Sequence, residues 1–163
     1  MNYINSNSPF AVIDFSNLVL EYLSKNMAKP QELVILCIGT DRSTGDSLGP
    51  LVGYKLSSYI NSYDKVHLFG TLDEPVHAKN ISDIIHNIKN KHPEAFILAI
   101  DASLGSLNRV GYISIKKGPL KPGLGVNKEL PFVGDISITG VVNVGGMMEY
   151  MVLQNTRLSL VMN

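Results

Sequence analysis

Two acidic loops carry the residue types in this chain that are best suited to chemistry. The loop at residues 39–50 contains Asp46, and the loop at residues 100–109 contains Asp101. Two carboxyl groups at close range cannot both ionise easily, so one keeps a proton and acts as an acid while the other activates water as a base. If the two loops lie side by side, Asp46 and Asp101 are predicted to form an acid–base pair.

Each aspartate also has a purely structural interpretation. Asp46 precedes Gly49-Pro50, which opens a predicted helix, so its carboxylate is a candidate cap for that helix. Asp101 follows a predicted strand, where a carboxylate commonly accepts hydrogen bonds from loop amides. Spacing alone leaves the structural and the chemical roles open for both residues.

The elements that must position these loops alternate between strand and helix. Continuous apolar runs at residues 33–38 and 95–100 are typical of strands buried on both faces, and Asp101 is predicted to end the second. Helical periodicity from Phe15, after Pro50 and from Ile81 predicts three helices. The remaining predicted elements are strands at residues 66–70, 111–116 and 136–142, the second of them at a sheet edge, and a helix at residues 145–161.

This alternation predicts an α/β protein with an open, mostly parallel sheet and helices on both faces. Sites in such sheets lie beyond the carboxyl ends of the strands, where both acidic loops fall. The chain has 163 residues, which favours one domain over residues 1–163. The Met-rich segment at Met147, Met148 and Met151 is interpreted as helix packing, and its apolar character also predicts a homodimer.

Composition excludes several classes of function. Lys and Arg together number 14, as do Asp and Glu, so no bulk charge favours direct binding of nucleic acid or an anionic membrane. The single Cys37 excludes an intrachain disulfide and a multi-cysteine zinc site. No signal peptide or apolar run of about 20 residues is present, so we expect a cytoplasmic protein without a membrane contact. The four histidines are scattered, with no recognisable metal-binding spacing.

Four stretches carry a family resemblance: residues 38–50, 100–110, 121–130 and 138–143. The most specific part combines Ser106-Leu107-Asn108-Arg109 with the later Pro122-Gly123-Leu124-Gly125. Together they resemble the YyaC-type sporulation proteins and, more distantly, the spore germination protease. The likeness spans residues 33–148, which is most of the chain.

The resemblance implies a three-layer α/β/α sandwich of the hydrogenase-maturation-protease-like (phosphorylase/hydrolase-like) type. It also implies that Asp46 and Asp101 correspond to two essential aspartates of the germination protease. The implied function is a sporulation-associated, aspartate-dependent endopeptidase in the cytoplasm of the forespore or mother cell. Its partner would be a protein or peptide substrate, with small acid-soluble spore proteins as the family-level expectation.

Two alternatives stay open beside this function. The chain is much shorter than the germination protease, so a non-catalytic sporulation protein that binds a partner in the same cleft is one of them. The other is a metal-dependent maturation-type protease, in which the resemblance implies a metal held by the two acids and a downstream histidine. It is disfavoured because no histidine follows His92. We therefore expect no metal or other cofactor. The residues predicted to bind substrate at the rim of the cleft are Asn108, Arg109, Lys128 and Asn143.

Overall fold

The computed structural model describes residues 2–29, 31–123 and 130–163. Strands and helices alternate through the first two thirds of the chain. In order, the elements are β1 (Asn2–Asn5), α1 (Ala11–Asn26), β2 (Leu33–Cys37), α2 (Leu48–Ile60), β3 (Val66–Phe69), α3 (Ile81–Lys91), β4 (Phe96–Gly105), β5 (Tyr112–Lys117), β6 (Ile136–Val144), α4 (Glu149–Gln154) and α5 (Leu158–Met162). The three helices predicted from periodicity are confirmed as α1, α2 and α3.

The six strands form one mixed sheet in the order β1-β5-β6-β4-β2-β3. Strands β3, β2, β4 and β6 pair in parallel, whereas β5 is antiparallel to both β6 and β1. From β2 the chain crosses to β3 on one side and then returns to β4 on the other. The crevice at the carboxyl ends of β2 and β4 is therefore the place where this topology favours a binding site.

Apolar residues at alternate positions of the strands pack against helices on the two faces of the sheet. Val34 and Leu36 of β2 pack with Ile81, Ile85 and other residues of α3 on one face. On the opposite face, Cys37 belongs to a second cluster that contacts α1 and Val52 of α2. The continuous apolar run of β2 follows from this two-sided burial, and the expected α/β architecture with helices on both faces is confirmed.

The predicted edge strand is not at the edge. Strand β5 has β6 on one side and β1 on the other, with Asn2 opposite Ile115 and Asn5 opposite Tyr112. The prediction was wrong because β1, Asn-Tyr-Ile-Asn, has only four residues and lacks the alternating pattern that would identify a strand. Backbone hydrogen bonds to β5 hold it in place.

Asp101 does not end its strand. Strand β4 continues to Gly105, and Asp101 pairs with Thr139 of β6. On the other side β2 has already finished, since its last pair is Cys37 with Ile100. Asp101 therefore sits where β4 loses one neighbouring strand and keeps the other.

The predicted C-terminal helix at residues 145–161 is two short helices, α4 and α5. Residue Met148 has a positive φ of 55°, a conformation that a helix interior does not accept. Met147 and Met148 precede α4 and are 83% and 65% exposed. Their interpretation as helix packing was wrong, because α4 and α5 bury Leu153 and Val161 instead.

Among the described residues, no helix combines the length and the apolar character that crossing a membrane requires. The longest, α1, has 16 residues.

Candidate functional site

A cavity of about 190 Å³ opens at the carboxyl ends of the central strands, and both Asp46 and Asp101 line it. Its wall combines titratable and polar side chains with apolar ones. The titratable and polar lining residues are Thr40, Arg42, Ser43, Asp46, His77, Lys79, Asp101 and Tyr150. The structure thus brings together the two aspartates that the sequence singled out.

The loop between β2 and α2 positions Asp46 through backbone contacts. The Thr40 N–H donates to the Asp46 carbonyl at 3.0 Å, which folds the loop back on itself. Gly39 has a positive φ of 141°, and a Cβ there would overlap the Asp46 carbonyl oxygen. Glycine at position 39 therefore allows the close approach that holds Asp46 at the cavity.

Asp46 does not cap α2. No side-chain cap hydrogen bond forms at the start of this helix or of the preceding turn at Gly45–Ser47. The carboxyl group is part of the cavity wall instead. The capping interpretation of Asp46 is therefore wrong.

Asp101 enters the cavity from β4 and is only 5% exposed. Its Oδ1 accepts a hydrogen bond of 2.8 Å from the Ala102 N–H, so the bond to a neighbouring amide expected from its position is present. One bond leaves most of the acceptor capacity of a carboxylate unused. Asp101 is therefore both structurally anchored and available to a group in the cavity.

His77 is a cavity residue that the sequence analysis missed. It lies in the loop between β3 and α3, where the Asn80 Oδ1 accepts from the His77 N–H at 2.8 Å. The Lys79 N–H donates to His77 Nδ1 at 3.3 Å, which favours the tautomer with the proton on Nε2. The missed signal is positional: each of the parallel strands β2, β3 and β4 delivers at least one titratable group to the same edge of the sheet.

Burial sets the protonation of the pair. Burial raises the pKa of Asp101 well above its usual range, repulsion from Asp46 raises it further, and the bond from Ala102 opposes both. Burial also raises the pKa of Asp46, but the Thr40 N–H and the charge of His77 act in the opposite direction. The two carboxyl groups are therefore electrostatically coupled, and Asp101 is the one better suited to hold a proton.

A buried hydroxyl also lies in this wall. Ser43 Oγ is shielded from solvent and has no hydrogen-bond partner among the described residues. Such an atom is uncommon in a folded protein and is typical of a group that meets a ligand or an ordered water. The loop that positions Asp46 therefore contributes a second polar group to the cavity.

The residues predicted for the rim occupy other places. Asn143 donates to the Val152 carbonyl and the Thr156 Oγ1, and Asn108 accepts from the Ser106 Oγ. Arg109 stacks over the rings of Tyr3 and Tyr112 at 4.4 and 5.2 Å. None of these three predicted residues lines the cavity with the aspartates. Their positions near strand ends predicted the rim, but Asn143 bonds to the α4 region, Asn108 to its own turn, and Arg109 stacks on aromatic rings. Lys128 lies outside the described residues.

The cavity offers the donor types of a metal site, two carboxylates and an imidazole, but not the convergence. Within the described ranges, the group of such residues whose ligand atoms all lie within 4.8 Å of one another is a different one, formed by Glu32, His67 and His92. Asp46, His77 and Asp101 as arranged therefore do not fit a shared metal ion.

Comparison with known proteins agrees with part of the resemblance. A family model described as "Protein of unknown function (DUF1256)" matches residues 3–163. The chain is 51% identical over 161 residues to a Bacillus subtilis (strain 168) protein called "Uncharacterized protein YyaC", covering 99% of this chain and 77% of that relative. Both matches extend over both acidic loops and almost the whole sequence. The chain therefore belongs to the DUF1256 family and is a YyaC-type protein.

Proposed function

We propose that this chain is a peptidase-like hydrolase that uses Asp46 and Asp101 as an acid–base pair. The observation that carries the proposal is that two carboxyl groups with raised pKa values share one small cavity. Perturbed carboxyl groups in a cleft are typical of active sites. A structural salt bridge does not account for these two carboxyl groups, because neither Asp46 nor Asp101 has a salt bridge to a described basic residue.

The two carboxyl groups take different roles. Asp46 is only partly buried and lies near His77, so it is the better candidate for the ionised base that removes a proton from water. Asp101 is almost completely buried beside that negative charge, so it keeps its proton and donates it to the leaving amine. The hydroxyl of water adds to the carbonyl carbon as the C–N bond breaks. One proton passes from water to Asp46 and the other from Asp101 to the amine nitrogen.

Other cavity residues suit the developing negative charge on the carbonyl oxygen. Arg42 and Lys79 bring positive charge to the wall, and the unpartnered Ser43 hydroxyl provides a donor. Preorganised donors of this kind lower the barrier of acyl-transfer reactions. They replace Arg109, which stacks on tyrosines elsewhere.

The cavity volume of about 190 Å³ corresponds to the space of about six liquid waters. One residue of an extended peptide fits this space better than a large cofactor does. A hydrogenase-maturation-protease-like fold and descent from a germination-protease-like ancestor agree with the aspartate positions and with the helices on both faces of the sheet. On that relationship the substrate class is small acid-soluble spore proteins, and the chain acts during sporulation in the forespore or mother cell.

The test compares the wild type with Asp46→Asn and Asp101→Asn on purified small acid-soluble spore proteins, with products identified by mass spectrometry. Each substitution keeps the side-chain size and removes the ionisable group, so we expect at least a roughly 100-fold loss of cleavage rate. Cleavage by both variants at the wild-type rate would contradict the acid pair. Loss of wild-type cleavage with a chelator, at an unchanged Tm, would instead support the metal-dependent alternative.

Matched controls exist in the same chain. Asp41 is an exposed acid in the same loop and does not line the cavity, so Asp41→Asn should cleave like the wild type. Arg109→Ala should also retain cleavage, because Arg109 contacts Tyr3 and Tyr112. Binding of a spore protein without any cleavage by the wild type would favour the non-catalytic alternative and contradict the proposed hydrolase activity.

A further inference from the structure

A second cluster of titratable side chains lies at the opposite, amino edge of the sheet. Glu32 directly precedes β2, His67 lies on β3 in register with Val34 of β2, and His92 follows α3. The ligand atoms of these three residues all lie within 4.8 Å of one another. The cluster has no part in the function proposed above, because the cavity is at the carboxyl edge.

One carboxylate faces both imidazoles. Glu32 Oε2 lies 2.8 Å from His92 Nδ1, and Glu32 Oε1 lies 3.6 Å from His67 Nε2. The first distance is a hydrogen bond, whereas the second is too long for one. His67 Nε2 is shielded from solvent and has no hydrogen-bond partner in the described part of the chain. A buried ring nitrogen that points at a carboxylate without bonding to it is a group for which a bound ion offers an explanation.

The main chain fixes the three residues independently of their side chains. The Phe96 N–H donates to the Glu32 carbonyl at 2.8 Å, the Leu33 N–H donates to the Lys65 carbonyl at 2.9 Å, and the His92 N–H closes the end of α3. These bonds tie the start of β2 to the start of β4 and to the residues just before β3. The donors are therefore held near one another by the sheet itself.

We propose that Glu32, His67 and His92 form a zinc site where the amino ends of β2 and β3 meet the end of α3. Two imidazoles and one carboxylate are a donor set that Zn²⁺ accepts, with water as the fourth ligand. Tetrahedral bonds of about 2.0–2.1 Å place ligand atoms roughly 3.3 Å apart, between the two separations seen here.

The imidazole rings now stack, with centroids 3.8 Å apart and planes 27° from parallel. Coordination requires them to splay around the ion, and partly exposed side chains have the freedom to do so. The side chains of Glu32, His67 and His92 are 41%, 26% and 17% exposed.

The experiment titrates the purified full chain with Zn²⁺ by calorimetry at neutral pH and with Co²⁺ by visible absorption. We expect one Zn²⁺ per chain, a higher Tm with Zn²⁺, and the visible bands of four-coordinate Co²⁺. Glu32→Gln and His92→Ala should each weaken Zn²⁺ binding at least about 10–100-fold, the loss typical of even outer-shell changes. We expect both variants to fold, because His92 lies just beyond α3 and glutamine keeps the size of Glu32. Circular dichroism verifies this.

Two controls make the assignment specific. His86 is an exposed histidine on α3, away from the cluster, so His86→Ala should bind Zn²⁺ like the wild type. The Asp46→Asn and Asp101→Asn double variant should also retain the ion, which separates this site from the cavity. Absence of Zn²⁺ binding by the wild type, or equal binding by Glu32→Gln and His92→Ala, would overturn the proposal.

Discussion

At the scale of the residue, the burial of Asp101 lowers the stability of the fold at high pH, although the proposed reaction needs this carboxyl group. It is 5% exposed, and burial raises its pKa well above the usual range. The folded protein therefore holds this proton more tightly than the unfolded chain does. The stability that the protonated form contributes is complete below the unfolded pKa of about 3.9, and it is lost as the pH rises through the folded pKa.

Asp101→Asn should therefore stabilise the protein at pH 8. Asparagine keeps the oxygen that accepts from Ala102 but carries no charge to bury. We expect a gain of at least about 1 kcal/mol in the free energy of unfolding, or roughly 2–4 °C in Tm, at the cost of activity. Thermal unfolding at pH 8 and about pH 3 measures it, and the gain should shrink at the lower pH, where wild-type Asp101 is largely protonated in both states.

The exposed Asp41 provides the comparison, since Asp41→Asn should change stability by less than about 0.5 kcal/mol at either pH. A lower Tm for Asp101→Asn than for the wild type at pH 8 would show that the charged carboxylate stabilises the fold, against this account.

At the scale of the element, the loop between β2 and α2 determines where Asp46 lies. It turns back through the Thr40–Asp46 backbone bond, and Gly39 makes room for it. The same glycine N–H donates to the Val76 carbonyl at 2.8 Å, next to His77. One backbone segment thus sets the positions of an aspartate and a histidine at the cavity.

Gly39→Ala should destabilise the protein far more than Gly146→Ala. The two glycines have nearly equal φ values of 141° and 142°, but a Cβ at Gly146 meets nothing within 4 Å whereas one at Gly39 overlaps Asp46. The shared backbone strain cancels in the comparison, which leaves the steric effect at about 1–3 kcal/mol. Urea unfolding of both variants measures the difference, and equal midpoints would refute the steric account.

At the scale of the whole molecule, an apolar patch surrounds the start of α4. Met147, Met148 and Met151 are 83%, 65% and 49% exposed, and Tyr150 beside them is also exposed. Contiguous apolar surface of this kind is typical of an interface, and methionine and tyrosine are both enriched there. The homodimer that the sequence predicts therefore has a candidate surface, although the segment is not packed as expected.

Sedimentation should show a dimer for the wild type and a monomer for the Met147→Glu and Met151→Glu double variant. Charges in an apolar interface stay desolvated and unpaired, which weakens association. Val12→Glu is the control, since Val12 is 80% exposed on α1, away from the patch, and should leave the dimer intact. Monomeric wild type at every concentration would end the dimer prediction.

The sequence by itself determined the elements whose signals are local. The apolar run at residues 33–38 gave a strand buried on both faces, and the spacing of Ile81, Ile85 and Ile88 gave α3. It also singled out Asp46 and Asp101 as residues that would face each other if their strands were neighbours, although β4 continues past Asp101 to Gly105. These inferences succeed because hydrophobic periodicity and the crevice rule depend on residues close in sequence and on one general property of parallel sheets.

Only the tertiary structure decided which distant segments meet. It covered β5 with β1, brought His77 into the cavity, sent Asn143 and Arg109 to other contacts, and grouped Glu32 with His67 and His92. None of these follows from local pattern, because pairing between segments far apart in sequence is selected by the packing free energy of the whole chain. Backbone hydrogen bonds hold a short strand such as β1, and they leave no trace in side-chain periodicity.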